Sequence, residues 1–123
     1  MRTSKSVVFT VDMPPMGKAR PRMGKYGVHM PKDYMLWKQK FGALARQKSN
    51  LCINGKFIIH ISISTTSGKM RSDIDNAAGS VLDALQDVGI IENDRDCIGL
   101  YVDLLKDDKP SISVFIRYGI CHA

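Results

Sequence analysis

Apolar residues alternate with polar ones along some stretches of this chain and recur every three or four residues along others. Those two periods separate strands from helices. Residues 5–11 (KSVVFTV) read as a first strand. Pro14-Pro15 ends it, because proline cannot continue a central strand. Residues 31–48 turn helical: Pro31 suits a first turn, and Tyr34, Trp37, Phe41, Leu44 and Ala45 make an apolar stripe. Trp37 on that stripe reads as core or subunit interface. Ser49-Asn50 and Asn54-Gly55 break the chain. Residues 56–66 then alternate, with Phe57, Ile59, Ile61 and Ile63 on one face and Ile58, His60, Ser62 and Ser64 on the other. A second helix is predicted over 76–88, striped by Ala77, Val81, Leu85 and Val88 and stopped by Gly89. After a turn at 92–94, residues 96–106 and 111–118 read as two more strands, expected to pair as a hairpin. The fold class predicted is α/β (α+β): one domain over 1–123, a mixed sheet of about four strands, and two main helices.

Composition narrows the setting. At 123 residues the chain can bury a core but has little room for a second unit. No apolar run approaches the roughly 20 residues that span a bilayer. The block Val7, Val8, Phe9, Val11 is too short for a signal peptide, so a cytoplasmic location is expected. Cys52, Cys97 and Cys121 are odd in number, far apart and without a CxxC, which argues against a disulfide framework or a zinc site. His29, His60 and His122 are scattered, and His60 reads as structural.

Charge adds more. The net +6 is divided unevenly: 14 Lys+Arg against 2 Asp over residues 1–72, then 4 against 10 acidic residues over 73–123. Such a division suggests a polyanion-binding region joined to an acidic region with another task. The bland reading is that the charges mix once the chain folds. Lys18, Arg20, Arg22 and Lys25 fall within eight residues of a Gly/Pro-punctuated loop or loose hairpin, suited to following a phosphate backbone. Tyr26 among them reads as packing, or as a platform for an unpaired base.

The acid begins at RSDIDNAAGS, residues 71–80. Either Asp73 or Asp75 could cap the second helix, but capping needs only one. Residues i and i+2 of an extended segment project to one side, so the two could converge on a cation, and the turn after the helix could return Asp94 to them. Clustered carboxylates repel unless a hard cation such as Mg2+ neutralises them. In a basic chain this suggests metal-assisted phosphodiester cleavage. An EF-hand starting at Asp73 is excluded, since its required Gly and Glu are here Ala78 and Ala84. An aspartyl-phosphotransferase DxD would end a buried apolar strand, whereas TSGKMRS precedes this one.

The longer stretch DIDNAAGSVLDALQDVGIIENDRDC resembles the signature of the RusA family of phage-borne Holliday-junction resolvases, which joins a DxDN, a helix containing DAL, a Gly and an acidic turn. The upstream PPMGKARPRMGKYGVHMPKDY resembles the basic Pro-Arg segment of one branch of that family, so the likeness runs from about Pro14 to the last strand. It implies catalytic, Mg2+-binding roles for Asp73, Asp75 and Asp94, with Asn76 supporting the site. Asp83 would be supporting or structural. It also implies a homodimer that cuts a four-way DNA junction by paired symmetric nicks, in DNA recombination and repair, from a phage or prophage in a bacterial host.

One departure stands out. The family usually carries a lysine three residues after the DxDN asparagine, and here that position is Gly79. Lys69 and Arg71, or Lys18, Arg20 and Arg22, are candidates to supply the cation, and all of these with Lys25 are expected to contact DNA. The alternatives are a catalytically weak or inactive branched-DNA-binding protein, and a nuclease directed at RNA or single strands.

Overall fold

The computed structural model describes residues 4–25 and 27–119. Two helices pack on one face of a four-stranded sheet, and a small hairpin projects from the first connection. The strands are β1 (Lys5–Val11), the hairpin pair β2 (Arg22–Gly24) and β3 (Gly27–His29), β4 (Phe57–Thr65), β5 (Cys97–Lys106) and β6 (Ser111–Tyr118). The helices are α1 (Lys32–Lys48) and α2 (Ile74–Asp87), and a single 3-10 turn spans Asp94–Asp96. No helix among the described residues is long and apolar enough to cross a membrane.

The sheet order is β1-β6-β4-β5, mixed as the sequence predicts. β1 and β4 both run antiparallel to β6, while β5 runs parallel to β4 and is reached through α2. This corrects the expected terminal hairpin: β5 and β6 are not neighbours. Residues 107–110 step over the end of β4, and the Asp107 N–H donates to the Thr65 carbonyl (3.0 Å) on the way. Burial explains the order. Phe57, Ile59, Ile61 and Ile63 are wholly buried, which suits a central strand, whereas β5 leaves Leu100 and Leu105 nearly half exposed, which suits an edge.

One hydrophobic cluster joins the sheet to both helices. Phe9, Val11, Ile59, Ile61, Ile112, Val114 and Ile116 from the strands meet Trp37, Phe41, Ala45, Val81, Ala84 and Leu85 from the helices. Trp37 stacks on Phe41 with ring centroids 5.2 Å apart and is core, not an exposed contact surface. The helices approach closely at Gly42, where a Cβ would lie 2.6 Å from Val88 Cγ1.

Among the described residues no helix covers the far face of the sheet. There His60 bonds Asp103 (3.3 Å) and Ser62 (3.4 Å) beside an exposed Tyr101, so the scattered histidine of the sequence is part of a surface network.

Candidate active site

The end of β4 and the start of α2 fix the acidic pair. The polar turn after Thr65 brings the chain round to Asp73, which takes the N-cap position of α2 with extended backbone (φ −69°, ψ 150°). Its carbonyl accepts from the Ala77 N–H (3.1 Å), but its side chain makes no capping hydrogen bond. The carboxylate is therefore left to the solvent side. Asp75 follows in the first helical turn, also exposed. The helix begins two residues earlier than its apolar stripe suggests, because Ile74 and Asp75 contribute turns but little burial. Hence the pair does not project from an extended segment as expected; one acid is at the cap and the other on the first turn. Both sit at the positive end of the α2 dipole, which offsets part of their mutual repulsion.

Two open clefts share this pair in their walls. One, of about 600 Å3, is lined by Lys18, Arg20, Asp73, Asp75, Asn76 and Gly79. The other, of about 570 Å3, runs past Gly68, Lys69, Asp73, Asp75 and Leu104. Arg71 and Lys69 border an adjoining groove with Gly17 and Ser72. Thus Lys18, Arg20, Lys69 and Arg71 all border this region, while Lys25 lies at the hairpin turn, away from the clefts. Arg22 is in β2, and its side chain, like the whole of Tyr26, lies outside the described residues.

Asp94 is elsewhere. Its N–H donates to Gln86 Oε1 (2.7 Å), which holds it at the last turn of α2. Asp75 is on the first turn of that helix, eleven residues before Gln86, or roughly 16 Å of helical rise. Among the described residues no three His, Cys, Asp or Glu side chains come together as one metal-binding group. Asp96 pairs with Lys56 (3.7 Å).

Asp83 proves to be a tie between helices. It accepts from Tyr34 Oη (2.8 Å) and Lys38 Nζ (3.1 Å), and Lys38 also reaches Asp87 (2.9 Å). Burial pushes the Asp83 carboxyl up, but the hydrogen bonds from Tyr34 and Lys38 outweigh it and hold it below the usual carboxylate range. Burial and the Asp83 contact push the Tyr34 hydroxyl well above its ordinary value.

Three contacts that sequence reasoning missed hold the basic segment against α1 and α2. Trp37 Nε1–H donates to the Pro14 carbonyl (2.8 Å), buried Ser80 Oγ donates to the Met16 carbonyl (2.6 Å), and the Lys18 N–H donates to the Asn76 carbonyl (3.2 Å). The only signal for them was a serine among small residues on an otherwise apolar helix face.

A match to a known family decides where the chain belongs. Residues 12–117 match the family described as endodeoxyribonuclease RusA, which is most of the chain. The chain belongs to the RusA family. The family's activity, Holliday-junction cleavage, fits acids set beside a basic cleft, and the matched span includes both. No curated protein matches the chain.

Proposed function

We propose that this RusA protein is a Mg2+-dependent endonuclease that resolves four-way DNA junctions as a homodimer, by paired symmetric nicks leaving 5′-phosphate and 3′-hydroxyl ends. The observation that carries the reading is the exposed pair Asp73 and Asp75 at a helix N-terminus, without a side-chain hydrogen bond or ion pair among the described residues and flanked by cations in two clefts. Their hard oxygen donors suit Mg2+, which when bound supplies an activated water and neutralises charge on the phosphate. Lys18, Arg20, Arg22, Lys25, Lys69 and Arg71 follow the phosphate backbone and position the strand without reading sequence. Asn76 supports the segment through its carbonyl.

The position of Asp94 gives the dimer a task. One chain holds this acid a helix length from its own Asp73 and Asp75, so the third acid of each site comes from a second copy. A two-fold dimer then carries two equivalent sites for two symmetry-related strands. A cytoplasmic setting in a bacterial host, with phage or prophage origin, accompanies this reading.

A labelled four-way junction incubated with Mg2+ tests it. Two symmetry-related nicks are expected, lost on chelation and lost in Asp73→Asn while junction binding persists. A band shift without nicks identifies a binding protein instead, and faster cutting of RNA or single strands identifies the other alternative. Mixing inactive Asp75→Asn with inactive Asp94→Asn should restore single nicks, because one site of each mixed dimer then receives a full set of acids. If each site lies within one chain, mixing restores nothing.

A further inference from the structure

We propose that Lys18 is the cation of the Asp73–Asp75 site, delivered from the basic segment across a glycine that makes room for it. The proposal rests on the nuclease reading above and assigns one residue a part in it. Asp75, Gly79 and Asp83 recur every four residues and form one stripe on α2. The Lys18 side chain crosses that stripe at its middle. A Cβ added to Gly79 would lie 3.4 Å from Lys18 Cδ and 3.8 Å from Lys18 Cβ. A methyl at 79 would touch the Lys18 stem at ordinary contact distance, and any longer side chain there would grow into the space that the stem fills.

Several features make this a property of the fold. The three hydrogen bonds at Pro14, Met16 and Lys18 pin the segment to α1 and α2 on both sides of the turn. Gly17 permits the close approach, since a Cβ there would lie 2.6 Å from Ser72 Cβ and 3.0 Å from Asn76 Nδ2. Gly79 serves no turn: it sits inside α2 with ordinary helical backbone, where glycine is a poor choice for stability. What its surroundings ask of position 79 is a residue short enough to leave the Lys18 stem its room.

The competing partners and cations are less suited. Asp83, at the other end of the stripe, is already engaged by Tyr34 and Lys38, and Lys18 is the weakest of the influences on it. No salt bridge ties down the Lys18 ammonium among the described residues. Arg20 lines the same cleft, Lys69 lies in the second one, and Arg71 borders neither acid's cleft. Lys18 thus lies along the α2 stripe between the acids and Asp83, and it arrives from a different element.

The experiment has two arms. In the first, single-turnover nicking of a four-way junction is compared across Lys18→Ala, Lys18→Arg and the double variant Lys18→Ala/Gly79→Lys, with junction affinity measured separately in Ca2+. Lys18→Ala should slow nicking about 100- to 1,000-fold with at most a few-fold loss of affinity, and the double variant should recover at least about tenfold of that rate. In the second arm, Tb3+ is titrated calorimetrically without DNA. Removing a positive charge beside the acids should tighten Tb3+ binding several-fold in Lys18→Ala. Nicking by Lys18→Ala within about threefold of the unsubstituted protein overturns the proposal, as does unchanged Tb3+ affinity. If the unsubstituted protein does not nick at all, the nuclease reading falls, and the Tb3+ comparison alone decides where the Lys18 charge acts.

Discussion

Gly79 and Gly17 solve one spatial problem in opposite ways, and substitution should tell them apart. At Gly79 an added methyl would meet only the flexible stem of Lys18 at 3.4 Å, an ordinary contact distance. Gly79→Ala should therefore gain the helix propensity that glycine forfeits, about 0.5–1 kcal/mol, and raise Tm by about 2–5 °C. At Gly17 the same methyl would strike Ser72 Cβ at 2.6 Å, against backbone held by hydrogen bonds. Gly17→Ala should cost about 1–3 kcal/mol and should slow junction cutting by moving Lys18. Thermal melts of the two variants check both signs. The acids themselves were legible in the sequence, because two aspartates before a helix exceed what a cap needs. For the cation beside them the sequence offered five candidates, Lys18 among them, without choosing. Lys18 and Gly79 are far apart in the chain, and no local pattern says that one crosses the other.

Periodicity identified the main elements correctly, because each buries one face and the apolar spacing records which. α1 and β4 lie within a residue of their predicted bounds. What alternation leaves open is the identity of a strand's neighbour: an alternating strand states its inward face but not its partner, so β5 and β6 looked like a hairpin when β4 lies between them. The contact between α1 and α2 was equally hidden, since Tyr34, Lys38, Asp83 and Asp87 read separately as a stripe residue and surface charges. That contact predicts a pH dependence. Asp83 is held below its ordinary value, so its stabilisation is complete above that value, near 4, and disappears as pH falls through the depressed one. The Tm deficit of Asp83→Ala should accordingly be constant from pH 7 to about 5 and shrink toward pH 2. A deficit that persists unchanged in acid would mean that packing, not charge, makes the tie. Tyr34 has the opposite sign. Its raised pKa favours the folded state below the ordinary phenol value, and that contribution is lost as pH climbs above about 10.

For the molecule as a whole, the divided charge of the sequence becomes a spatial arrangement. Cations from the segment before α1 and from the turn after β4 flank the acids, so the two chain halves meet at the site. Junction affinity should fall steeply with salt. Six phosphate contacts imply a loss of about 1,000-fold between 50 and 200 mM, and each lost contact lowers the slope of log K against log[salt] by about 0.9. Titrations of Lys25→Ala and Lys69→Ala across that range measure each share, and a flat profile would remove phosphate contacts as the source of binding.

The sheet order also governs how the chain assembles. β1 pairs only with β6, and Phe9 waits for Val114, more than a hundred positions downstream. β6 is the last strand made and enters between two others. Until it arrives, β1 has no partner and β4 presents an open edge beside Ile59, Ile61 and Ile63, a template for pairing with other chains. Such long-range closure is slow. A chain cut before Ser111 would thus lose more than one strand: α2 and its acids could still pack on the β4–β5 half, but β1 would be released and the basic segment that follows it would keep only its three hydrogen bonds to α1 and α2. The hold of cation on acid would be loosened by a truncation that touches neither.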